Sequence, residues 1–422
     1  MKRLLAALAE CHITTYRINS TRTESVELFF VKQQLQVRRT KDVVHVDVTV
    51  FRDVERDGTV LRGCSVARLT PGMAEEELCQ KLLDAHEAAQ YAANPMYAMY
   101  EGECLPEVAM SSGFAGMTLR EGAETMAAAL FRADTAEDAF LNSAEIFMER
   151  EHVRILTSGG TDVGYVRYNC NGEFVTQCRA PQDVEQHYAF RYAEPDTAAL
   201  TEKVRAGLSA ARDRAGATEN PKAGQYDLVL SGEQLETLLS LYRDRASAGM
   251  VYAHYSDYAV GMAVQGENVT GEKLNITLLP DAPFSNEGIP MQELPLLRDG
   301  MLTALHGNTR FCRYLGTEPV GEYERFRLTA GTAPFDTLKR GCLYPVSFSD
   351  FQMNPLTGRF GGEIRLAYLF MEDGVRVLTG GSVNGSLLEK QDSLTFSREQ
   401  YRSATYEGPF AIRLCGVSVS GC

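Results

Sequence analysis

Two neighbouring stretches, SVELFFVKQQLQVRR (25–39) and DVVHVDVTVFR (42–52), constrain this chain more than any other feature. Both alternate β-branched or aromatic residues with polar ones, a period of two that no helix can present as a single face. The alternation predicts adjacent strands, each half-buried on one face of a sheet. Helical periodicity also occurs, but in separate segments rather than in regular strand–helix alternation. The expectation is an α+β fold. Its N-terminal α/β region carries antiparallel strands and flanking helices, and its C-terminal domain is strand-rich.

The helical segments have legible ends and faces. In TPGMAEEELCQKLLDAHEAAQYAA, Glu75, Glu76 and Glu77 complement the dipole of a first turn, and Leu78, Leu82 and His86 follow on one face. Thr118 and Glu121 have capping-box spacing ahead of the stripe Leu119, Ala123, Met126 and Leu130. EIFMEREHVRILTSGG and DVGYVRYNCNGEFVTQC read as strands, with Asn171-Gly172 as a hairpin turn inside the second. Asp196 is placed to cap a helix bearing Leu200, Val204, Leu208 and Ala211.

That helix runs into RAGATENPKAG, whose Gly, Asn and Pro content marks a linker. The expected units are 1–95, 96–222 and 223–422. Beyond the linker, YDLVL reads as a buried strand. Ser231 and Gln234 suggest a second capping box, for a helix with Leu235, Leu238, Leu239 and Tyr242 on its core face. From Val251 onward strands and turns dominate.

Composition excludes several classes of function. With 42 Lys and Arg against 56 Asp and Glu, the net charge is −14 and no basic block appears, so nucleic acid is not an expected partner. No apolar run approaches the roughly 20 residues of a membrane span. MKRLLAALAEC has too short an apolar run for a signal peptide and reads as an amphipathic first helix. Cys11, Cys64, Cys79, Cys104, Cys170, Cys178, Cys312, Cys342, Cys415 and Cys422 include no C-x-x-C pair. Reduced thiols and a cytoplasmic location are the expectation.

Local motifs for chemistry fall short. His86-Glu87 begins like a zincin helix, but the second histidine of H-E-x-x-H is replaced by Gln90, a poor zinc ligand. GGSVNG at 380–385 lacks the last glycine of a nucleophile elbow, where Asn384 stands, and reads as a turn between strands. His306 and Cys312, six apart in sequence, could form a thiolate–imidazole pair only if the fold brings them together; a buried structural thiol is the simpler reading. NPLTGRFGG (354–362) has no Lys-Ser/Thr after its glycines and leads into strand-like EIRLAYLF. It reads as a strand–turn–strand element rather than a phosphate loop. No catalytic, cofactor-binding or metal-binding residue is assigned from the sequence.

The C-terminal block nevertheless resembles the TldD/PmbA family. Asn354, Thr357, Gly358 and Phe360 match an N-x-x-T-G-x-F turn. Glu372, Asp373 and Gly374 match a hairpin, and Gly380, Gly381 and Gly385 a glycine-rich return. Asn286, Glu287, Gly288, Pro290, Asp299 and Gly300 match the preceding block. The resemblance is specific over about 284–422 and diffuse before it.

The resemblance implies a choice between two kinds of chain. TldD-like members carry H-E-x-x-x-H on the first helix of the C-terminal domain and are regarded as metallopeptidases. PmbA-like (TldE) members lack it and pair with a TldD-like chain. Here the corresponding helix, EQLETLLSLYRDRA, holds no histidine; Ser240, Leu241, Arg243 and Asp244 cannot replace two imidazoles and a Glu. The resemblance therefore implies a TldE-like subunit of a peptidase complex that trims peptides and degrades unfolded polypeptides. Zinc is expected on the TldD-like partner and no cofactor on this chain, with an extended peptide as substrate. The alternatives are a stand-alone homodimer that binds peptides without cleaving them, and a hydrolase using Cys312 and His306. EPVGEYERF departs from the turn of many relatives, with Gly321 at its centre.

Overall fold

The fold is described from a computed structural model that covers residues 1–329 and 331–421, so Cys422 lies outside the described residues. Its elements begin with α1 (Lys2–Glu10), β1 (Tyr16–Val31), β2 (Gln34–Arg56), β3 (Thr59–Leu69) and α2 (Glu75–Ala89). Two short strands, β4 (Asn94–Pro95) and β5 (Val108–Ala109), then precede α3 (Leu119–Phe131), β6 (Ala139–Thr157), β7 (Asp162–Cys178), β8 (Val184–Tyr192) and α4 (Thr197–Gly216).

These strands form one eight-stranded sheet in the order β4-β3-β2-β1-β6-β7, with β5 and β8 both beside β7. Segments on either side of residue 95 contribute to it, because β1 pairs antiparallel with both β2 and β6. Even-numbered residues of β1 and β2 face the helices. Ile18, Val48 and Val50 pack with Leu4, Leu8, Leu78 and Leu82 of α1 and α2. Val26, Leu28, Ile146 and Met148 pack with Met126 and Leu130 of α3 and with Leu200, Val204 and Leu208 of α4. The capping box of Thr118 and Glu121 is present, and Asp196 accepts a hydrogen bond from the Ala199 amide at 2.9 Å.

Three local expectations are corrected. The stretch 25–39 is a strand end, a turn at Lys32-Gln33 and the start of β2, and 42–52 continues that same strand. Asn171-Gly172 is the middle of β7: Gly172 pairs with Ile146 on one side and Phe190 on the other. Its glycine meets a packing need, since a Cβ there would lie 2.1 Å from the Glu145 carbonyl oxygen and 2.7 Å from the Phe190 ring. On the face of α2, His86 is only half-buried; Ala85 is the buried neighbour of Leu78 and Leu82.

The C-terminal half runs β9 (Gly224–Ser231), α5 (Glu233–Arg245), α6 (Ala248–Tyr252), β10 (Ile276–Leu279), β11 (Leu294–Arg298), β12 (Met301–Leu302), α7 (Thr309–Tyr314), β13 (Arg325–Leu328) and α8 (Phe335–Leu338). It continues with β14 (Leu343–Met353), β15 (Arg359–Met371), β16 (Gly374–Leu378), β17 (Ser382–Ser386), α9 (Leu387–Lys390), β18 (Thr395–Phe396), β19 (Gln400–Arg402), β20 (Tyr406–Pro409) and β21 (Ala411–Ser420). Strands and turns dominate this region as expected, with short helices interspersed.

One sheet has the order β12-β11-β10-β13-β20-β19; the other runs β14-β9-β21-β17-β15 and closes, because β14 also pairs with β15. Helix α5 fills the space between them: Leu235, Leu238, Leu239, Leu241 and Tyr242 are fully buried against residues of both sheets. The second capping box is absent. The N-cap of α5 is Gly232 at φ +55, whose amide is held by the Phe410 carbonyl, while the Ser231 hydroxyl bonds that of Tyr344 at 2.8 Å.

Candidate functional site

The motif residues of the C-terminal half do two different jobs. The first is to turn strands. Asn354 Oδ1 accepts from the Leu356 amide at 2.9 Å, and the turn closes at Gly358 (φ +69), where only glycine is unstrained. Glu372-Asp373 form the two-residue connection of β15 to β16, and Asp299-Gly300, both at positive φ, that of β11 to β12. Gly380 and Gly381 make the turn before β17, so Ser382 opens a strand and is not held on a nucleophile elbow.

The second job is to build a polar cleft. Arg17, Ser285, Asn286, Glu287, Asn308, Gly321 and Glu322 line a space of about 90 Å³ between the N-terminal sheet and the C-terminal half. Arg17 extends from the face of β1 that carries no helices, and its Nη1 donates to Glu287 Oε1 at 3.0 Å. The other oxygen of Glu287 accepts from both the amide and the hydroxyl of Thr309, each at 2.7 Å. Asn308 caps α7 through the Phe311 amide, and its Nδ2 donates to Glu322 Oε1 at 3.3 Å.

Ser285 Oγ accepts from the Glu287 and Ile289 amides, which fixes the 285–289 turn; Gly288 in that turn has φ +80. Asn19 Nδ2 reaches the Asn286 carbonyl at 2.8 Å, and Phe284 packs on Val153, Ile155, Val163 and Tyr165 of the sheet. Burial, reinforced by Glu287, holds the Glu322 carboxyl above the usual range, against the opposing pull of Asn308 and Arg17. With one arginine for two carboxylates, and amide and carbonyl groups around them, the cleft suits hydrogen bonding to polar or cationic groups.

Hydrogen bonds connect this cleft to the end of α5. The His306 amide donates to the Ala246 carbonyl, the Ala248 amide to the His306 carbonyl, and the Gly307 amide to the Gly321 carbonyl. Helix α5 itself is committed to packing and backbone support. Leu241 is buried, Arg243 donates to the Glu324 carbonyl and pairs with Asp244, and His306 Nε2 sits 2.9 Å from the Arg243 carbonyl. Arg245, only 7% exposed, donates from Nη1 to the Pro355 and Leu356 carbonyls at 3.2 Å each. Its Nη2 meets Asp257 at 2.5 Å, and its guanidinium lies 5.0 Å from the centre of the Tyr258 ring.

The loop with the look of a phosphate cradle is therefore a carbonyl acceptor for a buried arginine. This link between α5 and the 354–358 turn has no local signature in the sequence. Arg17 was also missed, because its partner Glu287 is 270 positions away.

Among the described residues no hydrogen bond joins Cys312 to His306, whose Nε2 faces the Arg243 carbonyl. Cys312 is fully buried, and burial pushes its thiol up despite hydrogen bonds with Thr317 and the Val320 backbone. A buried, protonated thiol is a poor nucleophile. The residues of α5 also do not fit a zinc ion: a buried leucine and two arginines occupy the segment. Among the described residues no three His, Cys, Asp or Glu side chains converge as a metal-binding group. A wider cleft of about 600 Å³ lies along the β15–β16 turn, beside Tyr226, Gly341 and residues 369–373. No helix is long and apolar enough to cross a membrane among the described residues.

Comparison with known proteins agrees with this architecture. Residues 223–421 match the PmbA/TldA metallopeptidase C-terminal domain. Curated protein sequences give no match. Among solved structures, a protein of Thermotoga maritima labelled a DNA gyrase modulator is 16% identical, covers 99% of each chain and superposes with a TM-score of 0.77. One with the same label from Bacteroides thetaiotaomicron is 15% identical over 100% of this chain and 98% of its own, with a TM-score of 0.79. TldE of Thermococcus kodakarensis is 14% identical over 99% of this chain and 100% of its own, with a TM-score of 0.73. The C-terminal domain at 223–421 thus matches the PmbA/TldA metallopeptidase family, in a chain that carries the fold of these solved structures throughout.

Proposed function

We propose that this chain is a TldE-like, non-metal-binding subunit of a TldD/TldE-type peptidase complex acting on extended peptides and unfolded polypeptides. The observation that carries this reading is the state of α5. Its last turn holds no metal ligand set, and Arg243 and Arg245 are spent on backbone carbonyls and neighbouring carboxylates. Peptide hydrolysis then belongs to a TldD-like partner carrying zinc, and this chain completes the substrate path. The polar cleft at Arg17, Glu287, Asn308 and Glu322 offers donors and acceptors suited to a polypeptide main chain. The cytoplasm, where unfolded polypeptides arise, is the proposed location.

The test is co-expression with a TldD-like chain from the same organism, followed by co-purification, elemental analysis and digestion of a disordered protein. The reading requires a stable complex, zinc confined to the partner, and cleavage only when both chains are present. Stoichiometric zinc on this chain alone, or no association with the partner, would overturn it.

A further inference from the structure

Two cysteines meet where α1 and α2 pack together on the N-terminal sheet. Cys11 is the C-cap of α1, and Cys79 lies in the second turn of α2. The Cys11 sulfur stands 3.8 Å from the Cys79 carbonyl oxygen and within hydrogen-bond reach of the Cys79 thiol. Both side chains pack against the cluster of Leu4, Leu8, Leu78 and Leu82, and both keep part of their surface in solvent.

The backbone holds the two thiols in this relation. The end of α1 is closed by three hydrogen bonds: the Cys11 amide donates to the Ala7 carbonyl at 2.9 Å, the His12 amide to Ala9 at 3.1 Å and the Ile13 amide to Leu8 at 2.9 Å. His12 takes the left-handed conformation at φ +55 that such a helix end requires, and Ile13 is buried behind it. Leu78 and Leu82 anchor the turn of α2 that carries Cys79. A disulfide asks the sulfurs to close to about 2 Å. Two packed helices bring them near that distance although 68 positions separate them in sequence.

Reactivity is divided between the two sulfurs. Burial, reinforced by the contact with Cys79 and by Glu10, pushes the Cys11 thiol up to about 11, so Cys11 keeps its proton. Cys79 is then the sulfur that is oxidised first, and Cys11 the one that resolves it.

We propose that Cys11 and Cys79 form a reversible clasp, which hydrogen peroxide oxidises to a disulfide that ties α1 to α2. One peroxide oxygen passes to the Cys79 sulfur, giving a sulfenic acid and releasing water. Cys11 then attacks that sulfur. The S–S bond forms, the S–O bond breaks, and the hydroxyl leaves with the Cys11 proton as a second water. Two thiols thus give two electrons and two protons to one peroxide, and a dithiol reductant reverses the step. The proposal does not depend on the peptidase reading.

The test treats the purified full chain with a small excess of hydrogen peroxide, blocks the remaining thiols by alkylation and maps the digested peptides by mass. The expected first intramolecular linkage joins Cys11 to Cys79, forms faster in the folded protein than in urea, and is removed by dithiothreitol. Hydrogen exchange at the Cys11 and Ile13 amides should slow about 10-fold or more in the linked form. Cys11→Ser should leave Cys79 as a sulfenic acid that dimedone traps, whereas Cys79→Ser should leave Cys11 unmodified at the same dose. Melting curves of both variants check that the fold survives. No linkage between 11 and 79, a different pair linking first, equal rates in urea and in the folded protein, unchanged exchange, or dimedone on Cys11 in Cys79→Ser would each overturn the proposal.

Discussion

Replacing Arg245 with methionine removes a side chain that ties the end of α5 to the turn at 354–358. Two hydrogen bonds from a charged donor to the Pro355 and Leu356 carbonyls are lost; at 3.2 Å each they fall at the weak end of the charged class, about 1.5 kcal/mol apiece. The ion pair with Asp257 adds no more than about 1 kcal/mol, because that carboxylate is 71% exposed and rehydrates easily. Stacking on Tyr258 adds about 0.5–1 kcal/mol. Methionine recovers part of the stem's apolar contact and removes the burden of a buried charge, leaving a net local loss of about 2–4 kcal/mol.

The fold has separate hydrophobic cores in its two halves, so a single unfolding free energy is not the best readout. Hydrogen exchange at the Gly358 amide, which donates to the Asn354 carbonyl at 2.8 Å, reports the turn directly. The expected acceleration is about 30- to 1,000-fold, with Arg245→Lys intermediate because one ammonium cannot span the same acceptors. Unchanged exchange across 354–359 in Arg245→Met would refute the claim that this arginine holds the turn.

Other perturbations follow from the same geometry. Gly172→Ala forces a Cβ against the Glu145 carbonyl inside a central strand; a loss of about 3 kcal/mol or more is expected, read as a lower melting temperature, and a wild-type melt would contradict the close approach. For Glu322 the raised carboxyl means that the folded state binds the proton more tightly than the unfolded one, so its ionisation weakens folding as pH rises through that raised value. Glu322→Gln should therefore equal or exceed wild type at neutral pH and gain less stability on acidification, which urea melts at two pH values would show. Native-state alkylation should label the exposed Cys104 and Cys415 well before the buried Cys312, and Cys312→Ser should leave any peptidase activity of the complex intact.

Much of the fold was legible because its signals are local. The α3 capping box, the Asp196 cap and the apolar faces of α2, α4 and α5 depend on neighbours within a turn or two. The strand–turn–strand at 343–371 likewise announces itself through Asn354 and Gly358. The errors arose where a local signal had a distant cause. Asn171-Gly172 looks like a turn, but the glycine answers to a neighbouring strand and a phenylalanine ring. Ser231 looks like a cap, but Tyr344 takes its hydroxyl and Gly232 takes the cap position. The cleft was the least legible part. Glu287 was visible as a motif residue, whereas Arg17 and Asn308 acquire meaning only once β1 and α7 meet it.

The closed ladder β14-β9-β21-β17-β15 bears on synthesis at the ribosome. β21 lies between β9 and β17, so the ring cannot close until residues near 420 have emerged, roughly 190 positions after β9. The strands of the N-terminal sheet are complete by residue 192 and can assemble while the rest is still being made. Leu228, Leu230 and the apolar faces of α5 meanwhile wait without their final cover. A nascent chain stalled before Ala411 should present that surface to chaperones, and one stalled before β9 should not.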